Sequence, residues 1–199
     1  MNRETKRKGI LFVISAPSGA GKTTLCAEAM KIFPDIRMSV SCTTRKMRQG
    51  EIEGVDYNFI NHDQFKNMIK KGAFAEWAEV HGEMYGTSVE TIRKAEAEGI
   101  DLILDIDWQG AKQIRESLNT GVYIFILPPN IAELEKRLKG RGKDTEEVIK
   151  RRLNNAKREI EHAHSYDYNI INDNLKESVT CLKSIIIAER CRPAGHNSI

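Results

Sequence analysis

Ile10-Leu-Phe-Val-Ile-Ser15, running into Ala16-Pro-Ser-Gly-Ala-Gly-Lys-Thr23, decides how this chain is read. A short, wholly apolar run enters a loop of small residues, and an apolar-periodic segment from Lys22 through Leu25 to Phe33 opens at once. Strand, loop and helix in that order are the context of a phosphate-binding P-loop, with its closing Gly-Lys-Thr intact. Gly19 and Gly21 can take backbone angles barred to other residues, so successive N–H groups can line a concave anion site. The start of the helix adds partial positive charge. Lys22 is placed to reach the β- and γ-phosphates of a nucleoside triphosphate, and the Thr23 hydroxyl to meet Mg²⁺. The motif pattern has Gly where Ala16 stands, a departure that is harmless if position 16 needs no positive φ.

Composition narrows the class. At 199 residues with 40% hydrophobic content, the chain can bury a sizeable core as one main domain, with room for an inserted lobe. A net charge of +3 is too small to argue for nucleic acid. Apolar runs such as Ile10–Ile14 are strand-sized, so no membrane span is expected. Met1–Lys8 is basic but lacks an adequate apolar h-region behind it, and reads as a solvated tail rather than a secretory signal. Cys26, Cys42, Cys181 and Cys191 are scattered, which suits free thiols in a reducing cytoplasm. His81-Gly-Glu83 matches half of a zinc deaminase motif without its Pro-Cys-x-x-Cys partner. His162 and His164 diverge on a helix, so Mg²⁺ is the one metal expected.

Beyond the first helix, Pro34-Asp35 breaks the pattern. Asp56–Ile60 and Ala73–Val80 read as strands, and Phe65, Met68 and Ile69 as a short amphipathic helix from about Asp63. Thr87-x-x-Glu90 has the spacing of a capping box for a helix that Gly99 would stop. Residues 37–99 thus interrupt a βαβ rhythm, as an inserted lobe would. The rhythm resumes with the buried-strand run Ile100–Ile106, a helix over about 109–118, and the strand Val122–Leu127. Ile131, Leu134 and Leu138 mark a helix ended by Gly140-Arg-Gly142, and a charged helix follows over about 145–162. Tyr168–Ile171 is a late strand and Leu175–Arg190 a closing helix. The pattern predicts an α/β fold with a parallel sheet covered on both faces, whose ligands sit at the carboxyl ends of the strands. The core comprises residues 1–36, 100–130 and 163–199, and residues 131–162 a helix pair.

Asp105 follows a buried strand, where a Walker-B-type carboxylate would meet Mg²⁺ or its water; capping a neighbouring helix is the blander alternative. Arg45 and Arg48 lie in the lobe near Tyr57 and Tyr85, and Arg137, Arg141 and Arg152 in the helix pair. Arginine suits a bidentate grip on phosphate. In the second group Glu146, Glu147, Glu159 and Glu161 alternate with Lys150, Arg151, Lys157 and Arg158, as on a solvated, ion-paired face.

Taken together, these blocks resemble a guanylate kinase of the bacterial type, from the first strand to the last helix. The motifs are the P-loop, Ser41-Cys-Thr-Thr-Arg45 with Arg48, Asp56-Tyr57-Asn-Phe59, Glu76-Trp77, Tyr85-Gly86-Thr87, Leu104-Asp-Ile-Asp-Trp-Gln-Gly110 and Arg137-Leu-Lys-Gly-Arg141. The resemblance implies a P-loop NTPase-type sheet, a GMP-binding lobe and a lid, and it accommodates Ala16. It implies that ATP contacts Ala16, Pro17, Ser18, Gly19, Ala20, Gly21, Lys22, Thr23 and Thr24, with Arg137 and Asn172 at the adenine. It also implies that GMP contacts Ser41, Arg45, Arg48, Tyr57, Glu76, Tyr85, Gly86, Thr87, Asp105 and Asp107. Guanine presents adjacent N1–H and N2–H₂ donors that a single carboxylate, Glu76, can accept, while Ser41 and Thr87 can donate to O6. Adenine reverses that edge and leaves Glu76 facing a lone pair. Thr87 can instead be only a helix cap, and Glu76 only a surface strand residue.

The implied reaction is in-line transfer of the ATP γ-phosphate to GMP. The attacking phosphate oxygen is already anionic and needs no general base. Lys22, Arg45, Arg48, Arg141 and Arg152 form the implied catalytic group, and Thr23 and Asp105 the Mg²⁺ ligands, direct or through water. Two alternatives stand beside it: a non-catalytic guanylate-kinase-like module that binds proteins, and a kinase for another nucleotide. The expectation is of a cytoplasmic enzyme without nucleic-acid or membrane partners. Tolerance for dGMP and homo-oligomer formation are left open.

Overall fold

The computed structural model describes residues 7–140, 142 and 144–193. Five parallel strands form the main sheet: β1 (Leu11–Ser15), β2 (Ile36–Met38), β7 (Asp101–Asp105), β8 (Val122–Leu127) and β9 (Tyr168–Ile171). Their order is β2-β7-β1-β8-β9. A second sheet has the order β4-β3-β6-β5, from β3 (Cys42–Thr43), β4 (Asn58–Phe59), β5 (Phe74–Val80) and β6 (Glu83–Ser88).

Alternation along β1 explains why the main sheet is covered on both faces. Phe12 and Ile14 join Ile103, Ile124 and Ile126 on the face covered by α1 (Lys22–Ile32) and α7 (Leu175–Arg190). Leu11 and Val13 join Leu102 and Leu104 on the face that meets Ile92 and Ala95 of α3 (Val89–Glu98) and Ile114 of α4 (Trp108–Leu118). A third small core, Phe65 stacked on Phe74 with Cys42 and Met84, joins α2 (His62–Lys70) to the second sheet. The pair α5 (Ile131–Gly140) and α6 (Glu146–Ile160) closes its own seam with Leu134, Leu138, Ile149 and Ala156.

The expected lobe boundaries at 37 and 99 move inward. β2 pairs with β7 in the main sheet through Met38, and α3 packs on that sheet. Strand pairing therefore assigns residues 39–88 to the lobe. α2 starts one residue before Asp63, where Asn61 and Gln64 form a reciprocal capping box. The capping box expected at Thr87 is not formed; Ser88 is the N-cap of α3, accepting from the Glu90 N–H, and Thr87 belongs to β6. Gly99 ends α3 in the left-handed conformation as expected. His81-Gly82, which resembled half of a metal motif, is the two-residue turn of the β5–β6 hairpin. Both residues have positive φ, 54° and 82°, as a primed turn demands.

At the amino ends of the strands the Asp101 carboxylate is fully buried. It accepts from Arg7 Nη1 at 2.6 Å, the Ile10 N–H at 2.8 Å and Arg190 Nε at 2.7 Å, tying both ends of the described chain to β7. Asp101→Ala would remove the buried partner of Arg7 and Arg190 and leave both only the exposed Asp35, 3.7 and 2.8 Å away, and we expect a loss of about 3 kcal/mol, roughly 6 to 12 °C in Tm. Thermal unfolding followed by circular dichroism measures it; an unchanged Tm would show that the cluster contributes no net stability.

Candidate active site

The phosphate loop sits at the carboxyl end of β1. Gly19 and Gly21 have φ of 95° and 97°, and Gly21 is the left-handed N-cap of α1. Ala16 is absent from the positive-φ residues, so its methyl group meets no backbone obstacle. A Cβ at Gly19 would lie 3.0 Å from both Leu134 and Leu138, so the α5 seam packs against the loop. Lys22 Nζ lies 2.5 Å from Asp105 Oδ1 and donates to the Ile106 carbonyl at 3.2 Å. The two residues that sequence assigned to triphosphate and Mg²⁺ chemistry are thus brought together at the ends of β1 and β7. Thr23 is exposed at the start of α1. A hydroxyl and a partly exposed carboxylate are hard oxygen donors that suit Mg²⁺, which keeps several waters and takes few protein ligands.

Glu76 is 7% exposed on β5. A register shift between Phe74 and Glu76 marks a bulge, which accounts for three consecutive buried residues, Phe74, Ala75 and Glu76. The free edge of β5 is held by α4. Gln113 exchanges two bonds with the Trp77 backbone, each 3.1 Å, and Ser117 Oγ donates to the Ala75 carbonyl at 2.8 Å. Gly110 leaves room for the carboxylate, since a Cβ there would be 3.2 Å from Glu76 Oε2. Thr87 Oγ1, fully buried, donates to Glu76 Oε1 at 2.6 Å. Its hydroxyl proton is therefore given to Glu76 here and not to a helix cap. Asp107 caps α4, accepting from the Gln109 and Gly110 N–H groups at 2.9 Å.

Burial pushes the Glu76 carboxyl above its usual range; the Thr87 hydrogen bond opposes this and the Asp107 charge adds to it. The ionised form is the one that can accept from two adjacent donors. Because the pKa is raised, protonation sets in at higher pH than for an ordinary glutamate, and, for the guanine contact that the resemblance implies, kcat/KM for GMP should fall as pH drops through that range. Thr87→Val removes the opposing bond and should move this acid limb to still higher pH. The GMP phosphate titrates alike with both enzymes, so a pH profile of the two isolates Glu76; coincident limbs would show that Thr87 does not tune it.

Arg45 makes a two-pronged pair with Glu51, at 2.7 and 3.0 Å, and its guanidinium lies 5.4 Å from the Tyr57 ring centre. Tyr57 meets Tyr85 edge to face at 6.0 Å. Arg45, Tyr57 and Tyr85 thus form one cluster, with Glu51 as the orienting partner that sequence reading missed. Arg48 reaches it by its backbone N–H, which donates to Glu51 at 2.7 Å. Arg152 pairs with Asp144 at 3.2 Å. Arg137 donates to Glu133 and to the Asn172 carbonyl, and Arg141 lies outside the described residues.

Glu159 departs from the solvated face expected for it. It is half-buried in the last turn of α6, where burial first and Asp107 second raise its carboxyl pKa while Lys22 lowers it. One turn on, His162 stacks flat on Trp108, ring centres 3.7 Å apart. No sequence signal joins those two aromatic rings, which only the fold brings together. The buried Cys26 thiol beside this site is pushed up to about 12, chiefly by burial, and is inert.

The family model described as guanylate kinase matches residues 8–189. The chain belongs to the guanylate kinase family. A guanylate kinase of Geobacter metallireducens is 57% identical over 187 residues, covering 94% of this chain and 92% of the relative. That of Escherichia coli K12 is 52% identical, covering 93% and 90%. The crystal structure of guanylate kinase from Anaplasma phagocytophilum superposes with a TM-score of 0.70 at 34% identity, over 94% of this chain and 89% of that one. The matched span runs from just before β1 into α7.

Proposed function

We propose that this guanylate kinase family member transfers the γ-phosphate of ATP to GMP, giving ADP and GDP, with Glu76 as the residue that selects guanine. One observation carries the reading. Glu76, a buried carboxylate with two acceptor oxygens, lies against the start of α4, just after β7, and a complete phosphate loop lies at the carboxyl end of the neighbouring β1. Ser41, Gly86 and Thr87 complete the guanine pocket, Thr87 by holding Glu76 ionised and oriented. Arg45, Arg48, Tyr57 and Tyr85 hold the GMP phosphate. Asp107 stiffens the start of α4 beside them. ATP lies over residues 16–24, with Arg137 toward its adenine. Residues 39–88 act as the GMP lobe and 131–162 as the lid.

Thr23 and Asp105 would hold Mg²⁺, which supplies charge neutralisation between the phosphates. Lys22, Arg45, Arg48 and Arg152 position the two substrates in line and spread the negative charge that develops between them. Arg141→Ala is expected to lower turnover far more than GMP affinity; equal turnover would remove Arg141 from the catalytic group. No described helix is long and apolar enough to cross a membrane. With four free cysteines, the cytoplasm is the proposed location, without a nucleic-acid or membrane partner.

Coupled ADP release with GMP, dGMP, AMP and UMP tests the reading. GMP should be the preferred acceptor over AMP and UMP by orders of magnitude, because Glu76 would face the wrong edge of either base. No release with GMP would overturn it. The phosphate-loop residues that a purely protein-binding relative could dispense with, Lys22 and Thr23 among them, are all in place.

A further inference from the structure

Asn172 follows β9 and is 6% exposed. Three of its four hydrogen-bonding groups are committed in three directions. The backbone N–H donates to Leu127 at 2.8 Å, the backbone carbonyl accepts from Arg137 Nη1 at 2.9 Å, and side-chain Nδ2 donates to the Ala20 carbonyl at 2.7 Å. The last bond matters because Ala20 C=O and Gly21 N–H share one planar trans peptide and point opposite ways. An amide that draws the carbonyl to one side turns the Gly21 N–H to the other, away from Asn172. The same amide stands where a side chain at Gly21 would begin, since a Cβ there would be 2.2 Å from Nδ2. Gly21 is therefore demanded twice, by its φ of 97° and by the buried amide.

We propose that Asn172 is a positioning residue for the phosphate loop: it orients the peptide between Ala20 and Gly21 so that the Gly21 N–H serves the bound triphosphate. This rests on the kinase reading above but shifts the role of Asn172 from the adenine to the phosphates. Arg137 braces the backbone of the same residue from α5, whose Leu134 and Leu138 already pack against the loop.

The test uses Asn172→Leu, which keeps the approximate size without the donor and adds no charge, and Asn172→Ala. Affinities for inorganic tripolyphosphate, ATP and GMP are measured by calorimetry, with ATP against ITP as phosphate donor. The proposal expects tripolyphosphate and ATP to weaken by the same factor, about tenfold. It expects GMP affinity and the ATP-to-ITP ratio to stay at the parent's values. Unchanged tripolyphosphate binding, or a fall in the ATP-to-ITP ratio, would assign Asn172 to the base and overturn the proposal. A parallel loss of GMP affinity would make the effect general damage and overturn it equally.

A cycle with Gly21→Ala adds an independent check. Gly21→Ala should cost less tripolyphosphate affinity in the Asn172→Ala background than in the parent, because the clash with Nδ2 is gone; equal cost would contradict the contact. Tripolyphosphate binding needs no GMP turnover. A parent enzyme inactive on GMP would thus sink the kinase reading while the Asn172 measurement still stands or falls by itself.

Discussion

Lys22→Ala is expected to lower kcat about a thousandfold while changing GMP affinity less than about threefold. The ammonium is fixed at the strand ends by Asp105 at 2.5 Å and the Ile106 carbonyl at 3.2 Å, and it is largely buried. A positive charge held there needs little reorganisation as charge moves from one phosphate to the next, which is the condition for a large electrostatic contribution. Ser41, Arg45, Glu76 and Thr87, proposed for GMP, stand on or beside β3, β5 and β6, and among the described residues none of these four is bonded to Lys22. Lys22→Arg should not restore the rate. A planar guanidinium is a poor substitute for a compact point charge bonded at once to a carboxylate and a carbonyl. Single-turnover kinetics with GMP titration separate the two quantities. A variant that loses GMP affinity as steeply as rate would place Lys22 in acceptor binding instead.

Glu76→Gln should cost roughly a hundredfold to ten-thousandfold in kcat/KM for GMP, because two charge-assisted hydrogen bonds are lost and one donor meets an amide N–H₂. The same variant should be more stable than the parent at mildly alkaline pH. Burial raises the folded-state pKa of Glu76, so the stability linked to its protonated form is present below the unfolded pKa and is lost as pH rises through the folded one. Glutamine carries no charge to desolvate, and its carbonyl still accepts from Thr87 Oγ1. Its advantage in Tm should therefore close as pH falls. A Glu76→Gln enzyme with lower Tm and unimpaired GMP turnover would contradict both halves. Stability given up at one buried carboxylate and recovered as substrate discrimination is the pattern expected of a recognition site.

Much of this was legible in residue order. The strands Val122–Leu127 and Tyr168–Ile171 and the helix Leu175–Arg190 fall where the pattern puts them, because long apolar periodicity and clear breakers such as Pro128-Pro129 act locally. The errors lie where a contact distant in sequence outweighed a local signal. Thr87 has the spacing of a cap, yet the strand pairing of β6 with β5 keeps it in the sheet, where its hydroxyl meets Glu76. Glu159 belongs to a charged helix by composition, but α6 turns it toward Lys22 and Asp107. Residues 37 and 38 read as the start of the insertion and instead continue the edge strand Ile36–Met38, because β7 offers a parallel partner.

By itself the sequence determined the class of chemistry. Gly19, Gly21, Lys22 and Thr23 can form an anion cradle at a helix start from local backbone preference alone, and Glu76, Arg45 and Tyr57 supply the functional groups an acceptor nucleotide requires. Which of those groups are paired, buried or turned was decided by tertiary structure. Hydrogen-bond partners and desolvation arise between elements far apart in the chain: Thr87 with Glu76, Glu51 with Arg45, and Asn172 with Ala20. Those pairings, absent from any local pattern, set the protonation of Glu76, the aim of Arg45 and the geometry of the phosphate loop itself.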